Sequence, residues 1–595
     1  MKRILLTLLI ATVSITFGYT QNEGLVPDHL EYLALKDLYT NTLGDTWSNH
    51  SNWPISWPAT ATSAEFATWA GVGVSNGDVT SLQLGYNNLQ GSLPSSLGNL
   101  TQLVYVGVNS NGLTGGIPTA MFSNAHNLQY FYVDHNQFSG PLPAWSGADF
   151  PYLQYLNVSF NQFSGTIPAS YATLSLLALL DVTNNQLTYF PPEFGSMTWL
   201  YELRLSGNPL PAGPVPSWIG QMTGLNVLLM AGNNFTGTLP TWLGNLHQLN
   251  YLSLNSNNFT GHIPAELNQC TSLTVLDLLN NQLDDLSTDL RGLTQLGYLG
   301  LSNNQFKGAI PEWLGHLPAL RQLYMNGNQF TRFQASFSEL TNLTHLYIQD
   351  NQLKGSLPDV SKMPNLAVVN VANNQLSGVL PASLSGRNIY ILDISHNQFT
   401  GQFPSISNWT ALYSFSITGN HFNGAFPSAA GLNKLEYLEA TGNEFSSIPA
   451  SLLSLPKLGY TSFEANKLTG IDDLETEAAA NHIHPGSGFY LFLDQNYLDF
   501  KTIGILGSLV VGGVPQLAFP QREINSSKKI GFNINSSLII PSYPVQSTTS
   551  VVWEKKINGA WTDVTASTQD ASHQIFQVNT ATQQDAGTYR WKMTD

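Results

Sequence analysis

The chain has 595 residues, too many for one compact hydrophobic core unless the architecture is repetitive. Only 10% of the residues are charged, and 38 acidic against 22 basic side chains leave a formal net charge of −16. That balance argues against a phosphate-backbone partner, so no nucleic acid is expected.

The amino terminus reads MKRILLTLLIATVSITFGYTQNEG, with Lys2 and Arg3 ahead of an apolar run from Ile4 to Phe17 and small or polar residues near Thr20. This is the pattern of a secretory signal peptide over 1–20, cleaved near Gln21. Residues 21–78 form a separate leading segment. Its stretch DHLEYLALKDLY places Leu30, Leu33, Ala34 and Leu38 at helical spacing, with Asp28 as the N-cap. Trp47, Trp53, Trp57 and Trp69 are expected to supply its burial. Cys270 is the sole cysteine, so no intrachain disulfide can form and the core holds by packing. No stretch outside the leader reaches membrane-spanning length, the apolar run at 503–514 included.

From 79 to 500 one phrase recurs. Aligned on a shared asparagine it gives Asn87, Asn111, Asn136, Asn161, Asn185, Asn208, Asn233, Asn257, Asn281 and Asn304, and continues through Asn328, Asn351, Asn374, Asn397, Asn420, Asn443 and Asn466. These 17 units are spaced 23 to 25 residues apart, with a looser one at Asn496. The pattern L-x-x-L-x-L-x-x-N-x-L/F-x-G-x-I/L-P, as in Leu249, Leu252, Leu254, Asn257, Phe259 and Ile263, predicts a short strand followed by an asparagine turn and a return path. One unit cannot bury its leucines alone, whereas stacked units build a continuous core. At about 4.8 Å per parallel strand, the stack predicts a curved sheet roughly 80 Å long.

The phrase NGLTGGIP (111–118) carries the resemblance: it is similar to the plant-type leucine-rich repeat of receptor-kinase ectodomains and polygalacturonase-inhibiting proteins. The resemblance implies an α/β solenoid, a leucine-rich repeat horseshoe with a long parallel β-sheet on its concave face and a helical N-terminal cap. TWAGVGVSNGDVTSLQL (68–84) resembles the entry of plant caps, with Val74 where those caps place a cysteine. The cysteine-free cap with GDTW resembles secreted repeat proteins of Bacteroidetes, which implies a bacterial source. In such a source sequons such as Asn234-Phe235-Thr236 are by-products of the repeat.

Residues 501–520 read as a linker or C-terminal cap, and from about 521 to 595 the period gives way to strand patterning. VVWEKK followed by DAGTY resembles an immunoglobulin-like sandwich, with Trp553 as core tryptophan, Asp585, Gly587 and Tyr589 as the tyrosine corner, and Trp591 in place of the second cysteine. Against the length typical of that class the domain is expected to be incomplete, so that an anchor or sorting segment could follow it.

Positions six, four and two residues before each asparagine are expected to face outward. They hold Tyr105, Tyr130, Tyr132, Tyr155, Tyr251, Tyr298, Tyr324, Tyr347, Tyr437 and Tyr460, with Asp181, Arg204, Asp277, Asp393 and Glu439 among them. Tyrosine couples apolar area to a hydroxyl, which suits a concave binding face for a protein or polysaccharide; it also suits exposed strands with no ligand at all.

Catalytic signatures are absent from the sequence, and no cofactor or metal is expected. DDLETEAAANHIHP (472–485) joins four acids to His482 and His484, which a solvated loop explains. Asp134-His135 and His345 with Asp350 have no third catalytic partner assignable by spacing. The expectation is a non-catalytic, monomeric, secreted or cell-surface protein that recognises an extracellular protein or glycan. A signalling-receptor ectodomain and an inhibitor of a secreted hydrolase are the alternatives.

Overall fold

The computed structural model describes residues 29–54, 56, 62–119, 125–479, 490–493, 495–498 and 502, and beyond them strands at 517–518, 538–541, 550–557, 560–563, 575–578 and 589–594. The leader, Asp28, Trp57, His482, His484, Asp585 and Gly587 lie outside the described residues. The chain forms two compact units, one up to Glu193 and one from Phe194.

In the first unit the helix His29–Asn41 buries Glu31, Tyr32, Ala34, Leu35, Leu38 and Tyr39. The apolar face is therefore rotated from the expected one, leaving Leu30 52% and Leu33 36% exposed. The reason is a contact 48 residues away: both carboxylate oxygens of Glu31 accept the Val79 N–H, at 3.2 Å, which holds the helix on the hairpin Val72–Ser75/Asp78–Gln83. Trp47, Trp53 and Trp69 are buried, their rings meeting at 5.0 Å, with the indole N–H groups of Trp47 and Trp53 donating to the carbonyls of Thr42 and Ala70. Four parallel strands then follow Asp78–Gln83 in register: Tyr105–Gly107, Tyr130–Tyr132, Tyr155–Asn157 and Leu179–Asp181.

In the second unit a parallel ladder runs from Glu202–Arg204 through Val227–Leu229, Tyr251–Ser253 and Val275–Asp277, and coil by coil to Tyr460–Ser462 and Tyr490–Phe492. Each strand is three residues long, with its middle residue in the core, as Leu252 and Leu276 are at 0% exposure. The return path opens on a proline N-cap and a 3₁₀ turn, as at Pro264 and Ala265–Gln269. Buried phenylalanines two residues after the asparagine stack down the solenoid, for example Phe399 on Phe422 at 6.1 Å and Phe422 on Phe445 at 6.3 Å.

The asparagines join one coil to the coil before it. Asn257 is 6% exposed. Its Oδ1 accepts the N–H groups of Asn233 (3.1 Å) and Phe235 (3.0 Å) in the preceding coil, while Nδ2 donates to Met230, Leu254 and Asn255 carbonyls. The same pattern recurs at Asn281, Asn304 and Asn328. At Asn87 the leading segment substitutes for a preceding coil, since Asn49 both donates its N–H to Asn87 Oδ1 and accepts from Asn87 Nδ2. The expected role within the turn is thus extended to a bond between neighbours. Asn233 Nδ2 is the exception, without a partner among the described residues, and we have no physical account of it.

The residue before each ladder asparagine adopts left-handed backbone, with φ between 50° and 68° from Tyr86 to Gln495. Glycine or asparagine meets this demand at half of these positions, but Tyr86 and Phe160 meet it with exposed rings.

Among the described residues no helix is long and apolar enough to cross a membrane. Near the end of the chain, Leu538–Pro541 pairs antiparallel with Ile575–Val578, and Ser550–Ile557 pairs antiparallel with both Ala560–Asp563 and Tyr589–Thr594.

Candidate functional site

Two tyrosine clusters stand on the strand face, one in each unit, and both are built by the same device. In the first unit Tyr105 and Gly107 end one strand while Tyr132 lies opposite Gly107 on the next. A Cβ on Gly107 would come within 2.7 Å of the Tyr105 ring, so the missing side chain lets that ring lie across the sheet towards Tyr132, at 5.8 Å. Tyr130 stacks on Tyr155 at 5.2 Å and 16°. In the second unit Tyr298 leans over Gly300, whose Cβ would meet it at 3.0 Å, to reach Tyr324 at 5.2 Å. Tyr324 then stacks on Tyr347 at 4.9 Å and 9°. The sequence signal is Tyr-x-Gly followed one coil later by tyrosine two positions further along the strand. Column counting alone misses it.

These rings are partly buried rather than fully exposed. Packing on neighbours removes water from the hydroxyls and raises the pKa of Tyr105, Tyr132, Tyr298, Tyr324 and Tyr347, so all stay neutral at physiological pH. Tyr251 stands apart: Val275 lies between it and Tyr298 in the ladder.

Several other residues expected on the face have structural partners. Asp181 is 7% exposed and its carboxylate accepts the Thr183 N–H at 2.9 Å, which closes the strand end. Asn157, Asn370 and Asp393 do the same two residues ahead of Ser159, Ala372 and Ser395. Asp181 thus serves the strand-end turn as well as standing on the face where the sequence placed it. Arg204 donates through Nε and Nη2 to Glu202 Oε2, at 3.0 and 2.6 Å. Asp277, 9% exposed between Tyr251 and Tyr298, is pushed up to about 6 by burial, against the opposing bond from the Leu279 N–H.

His135 Nδ1 lies 3.0 Å from Asp134 Oδ2 and its ring stacks on Phe160 at 4.2 Å, while His345 Nδ1 lies 2.8 Å from Thr344 Oγ1. Asp350 accepts from Asn373 Nδ2. His135 thus faces a carboxylate, and His345 a threonine hydroxyl whose own proton goes to the Arg321 carbonyl at 2.9 Å. Among the described residues no group of three or more His, Cys, Asp or Glu side chains could hold a metal ion. Cys270 is fully buried, donates to the Leu243 carbonyl at 3.3 Å, and burial lifts its thiol to about 11.

The family comparisons agree with this architecture. Leucine rich repeat models match residues 294–353, 341–382, and 78–100, 152–174, 224–246 and 248–270. The Arabidopsis receptor kinase HAESA, solved with the peptide hormone IDA and the co-receptor SERK1, is 26% identical with a TM-score of 0.67, over 83% of this chain and 78% of that one. The plant peptide hormone receptor RGFR1, solved with RGF2, is 25% identical with a TM-score of 0.60, over 74% of this chain and 78% of its own. The Leptospira interrogans repeat protein LIC12759 is 26% identical with a TM-score of 0.52, covering 69% of this chain and 94% of that one. No curated protein matches. The matched stretches are leucine rich repeats, and the extended parallel ladder in each unit is similar in fold to the plant receptor ectodomains.

Proposed function

We propose that the protein is a secreted or cell-surface recognition protein that binds an extracellular protein or peptide on its strand face and carries out no chemistry itself. The observation that carries this reading is the pair of tyrosine clusters, each organised over a glycine on a hydrogen-bonded ladder. Rings held in this way offer apolar area and neutral hydroxyls with little ordering left to pay for on binding. The similarity to plant receptors solved with peptide hormones supports a polypeptide partner and the extracellular setting, in keeping with the leader at 1–20.

The helix His29–Asn41 and its tryptophans act as a cap for the first coil. The antiparallel pairings at the other end, with Trp553 opposite Trp591, support an immunoglobulin-like spacer. The cysteine-free cap supports the bacterial source. A receptor ectodomain is the second reading, favoured by the same receptor similarity.

The test is an array of secreted proteins, peptides and polysaccharides probed with the full chain and with two variants, Tyr130→Ala/Tyr155→Ala and Tyr324→Ala/Tyr347→Ala. Selective polypeptide binding lost in one variant, with the circular dichroism unchanged, is expected. Polypeptide binding retained by both variants, or selective binding of polysaccharide alone, would overturn the reading.

A further inference from the structure

Four successive coils of the second unit differ from those around Tyr298 and Tyr324. Their strands Ile391–Asp393, Ser414–Ser416, Tyr437–Glu439 and Tyr460–Ser462 pair in parallel register. From the residue before each strand to two beyond its end, these coils hold Asp393, Glu436, Glu439 and Glu464 and no Lys, Arg or His. The lysines of the same coils stand outside these stretches, Lys434 and Lys457 ahead of the strands and Lys467 in an ion pair with Glu444 at 2.7 Å.

None of the four carboxylates is in an ion pair among the described residues. Two are held in place by neutral donors: Tyr437 Oη donates to Glu439 Oε2 at 2.5 Å, and Ser395 Oγ to Asp393 Oδ1 at 2.6 Å. Rings accompany them in pairs. Tyr390 stacks on Tyr413 at 5.6 Å and 20°, with 40% and 38% of these residues exposed, and Tyr437 stacks on Tyr460 at 4.9 Å and 10°.

We propose that Asp393, Glu436, Glu439 and Glu464, with Tyr413 and Tyr437, form a docking surface for an extended, Lys- or Arg-bearing segment of a protein partner. Fixed carboxylates without cationic partners beside exposed aromatic faces are complementary to such side chains in charge and in quadrupole. A metal ion is a poor occupant, because no three of these acids converge. The surface also spans four coils, roughly 14 Å at the usual strand spacing, which an extended segment of about four residues would cover. This surface goes beyond the tyrosine clusters of the proposed binding face and does not depend on them.

The experiment is fluorescence anisotropy of the full chain with labelled dodecalysine, dodecaglutamine and dodecaglutamate at low and high salt. Dodecalysine alone should bind, more weakly as salt rises. Glu436→Gln/Glu439→Gln/Glu464→Gln should weaken it about tenfold or more. Asp284→Asn/Asp285→Asn/Asp289→Asn removes the same charge elsewhere and should change it little. Glu436→Lys, at an exposed position, should also weaken binding, and it guards against misfolding of the triple variant. Equal loss in the two triple variants would assign the binding to the general field of a chain of net charge −16 and overturn the proposal, as would no binding of dodecalysine. Retained binding in Tyr324→Ala/Tyr347→Ala is expected, which separates failure here from failure at the tyrosine clusters.

Discussion

Replacing Asn257 by Ala tests the physical account of the ladder. The substitution strips the acceptor from the buried N–H groups of Asn233 and Phe235 and removes donors to three carbonyls. A buried donor left unsatisfied costs about 1–3 kcal/mol, whereas carbonyls with a second lone pair lose less, so a total of about 3–4 kcal/mol is expected. Because repeats contact chiefly their neighbours, the loss should be confined to the coils around Asn233 and Asn281. Urea unfolding followed by circular dichroism would measure the magnitude, and hydrogen exchange read by mass spectrometry would locate it. The neighbouring Asn258, whose exposed side chain accepts from Gln282 Nε2, is the control and should cost no more than about 0.5 kcal/mol as Ala. A loss at Asn257 of under about 1 kcal/mol, or protection lost evenly along the chain, would refute the view that the asparagines fasten one coil to the next.

Asp277 supplies a pH prediction. Its folded pKa of about 6 lies above the ordinary carboxylate value of 3.8, so the native state binds the proton more tightly than the unfolded state and stability falls as pH rises from about 4 to 6. Asp277→Asn should remove that decline and raise stability at pH 7.5 by up to about 2 kcal/mol, read from urea midpoints at pH 5 and 7.5; an unchanged pH profile would contradict it. Gly300→Ala places a methyl group 2.9 Å from Asp277 Oδ1 and 3.0 Å from the Tyr298 ring, so a crystal structure of the variant should show the ring displaced from Tyr324, and an unmoved ring would count against the device. Cys270, buried with a raised pKa, should fail to react with Ellman's reagent at pH 8 in the native protein and react fully in urea, and rapid native labelling would show that the coil opens readily.

The periodic leucines and asparagines determined the fold by themselves, because each short strand has one inward residue and cannot bury it without a neighbour of the same kind. Hence Asn87 to Asn496 were legible as one column, and the tyrosines as two more. What the sequence could not settle was which outward residues are free to meet a partner. Asp181 reads as a surface acid, yet the turn beyond its strand leaves the Thr183 N–H in need of an acceptor and takes its carboxylate. Leu30 and Leu33 read as core, yet Glu31 rotates the helix because the Val79 N–H must be satisfied. The glycines at 107 and 300 look like weak strand residues until the structure shows the ring of Tyr105 or Tyr298, two residues earlier, lying over them towards a tyrosine of the next coil. Some of these outcomes turn on a group only two residues away whose orientation spacing does not reveal, others on a neighbouring coil or, for Glu31, on a backbone N–H 48 residues away. A pattern read along one chain records spacing, and only the stacked structure decides who shares a hydrogen bond or a ring face.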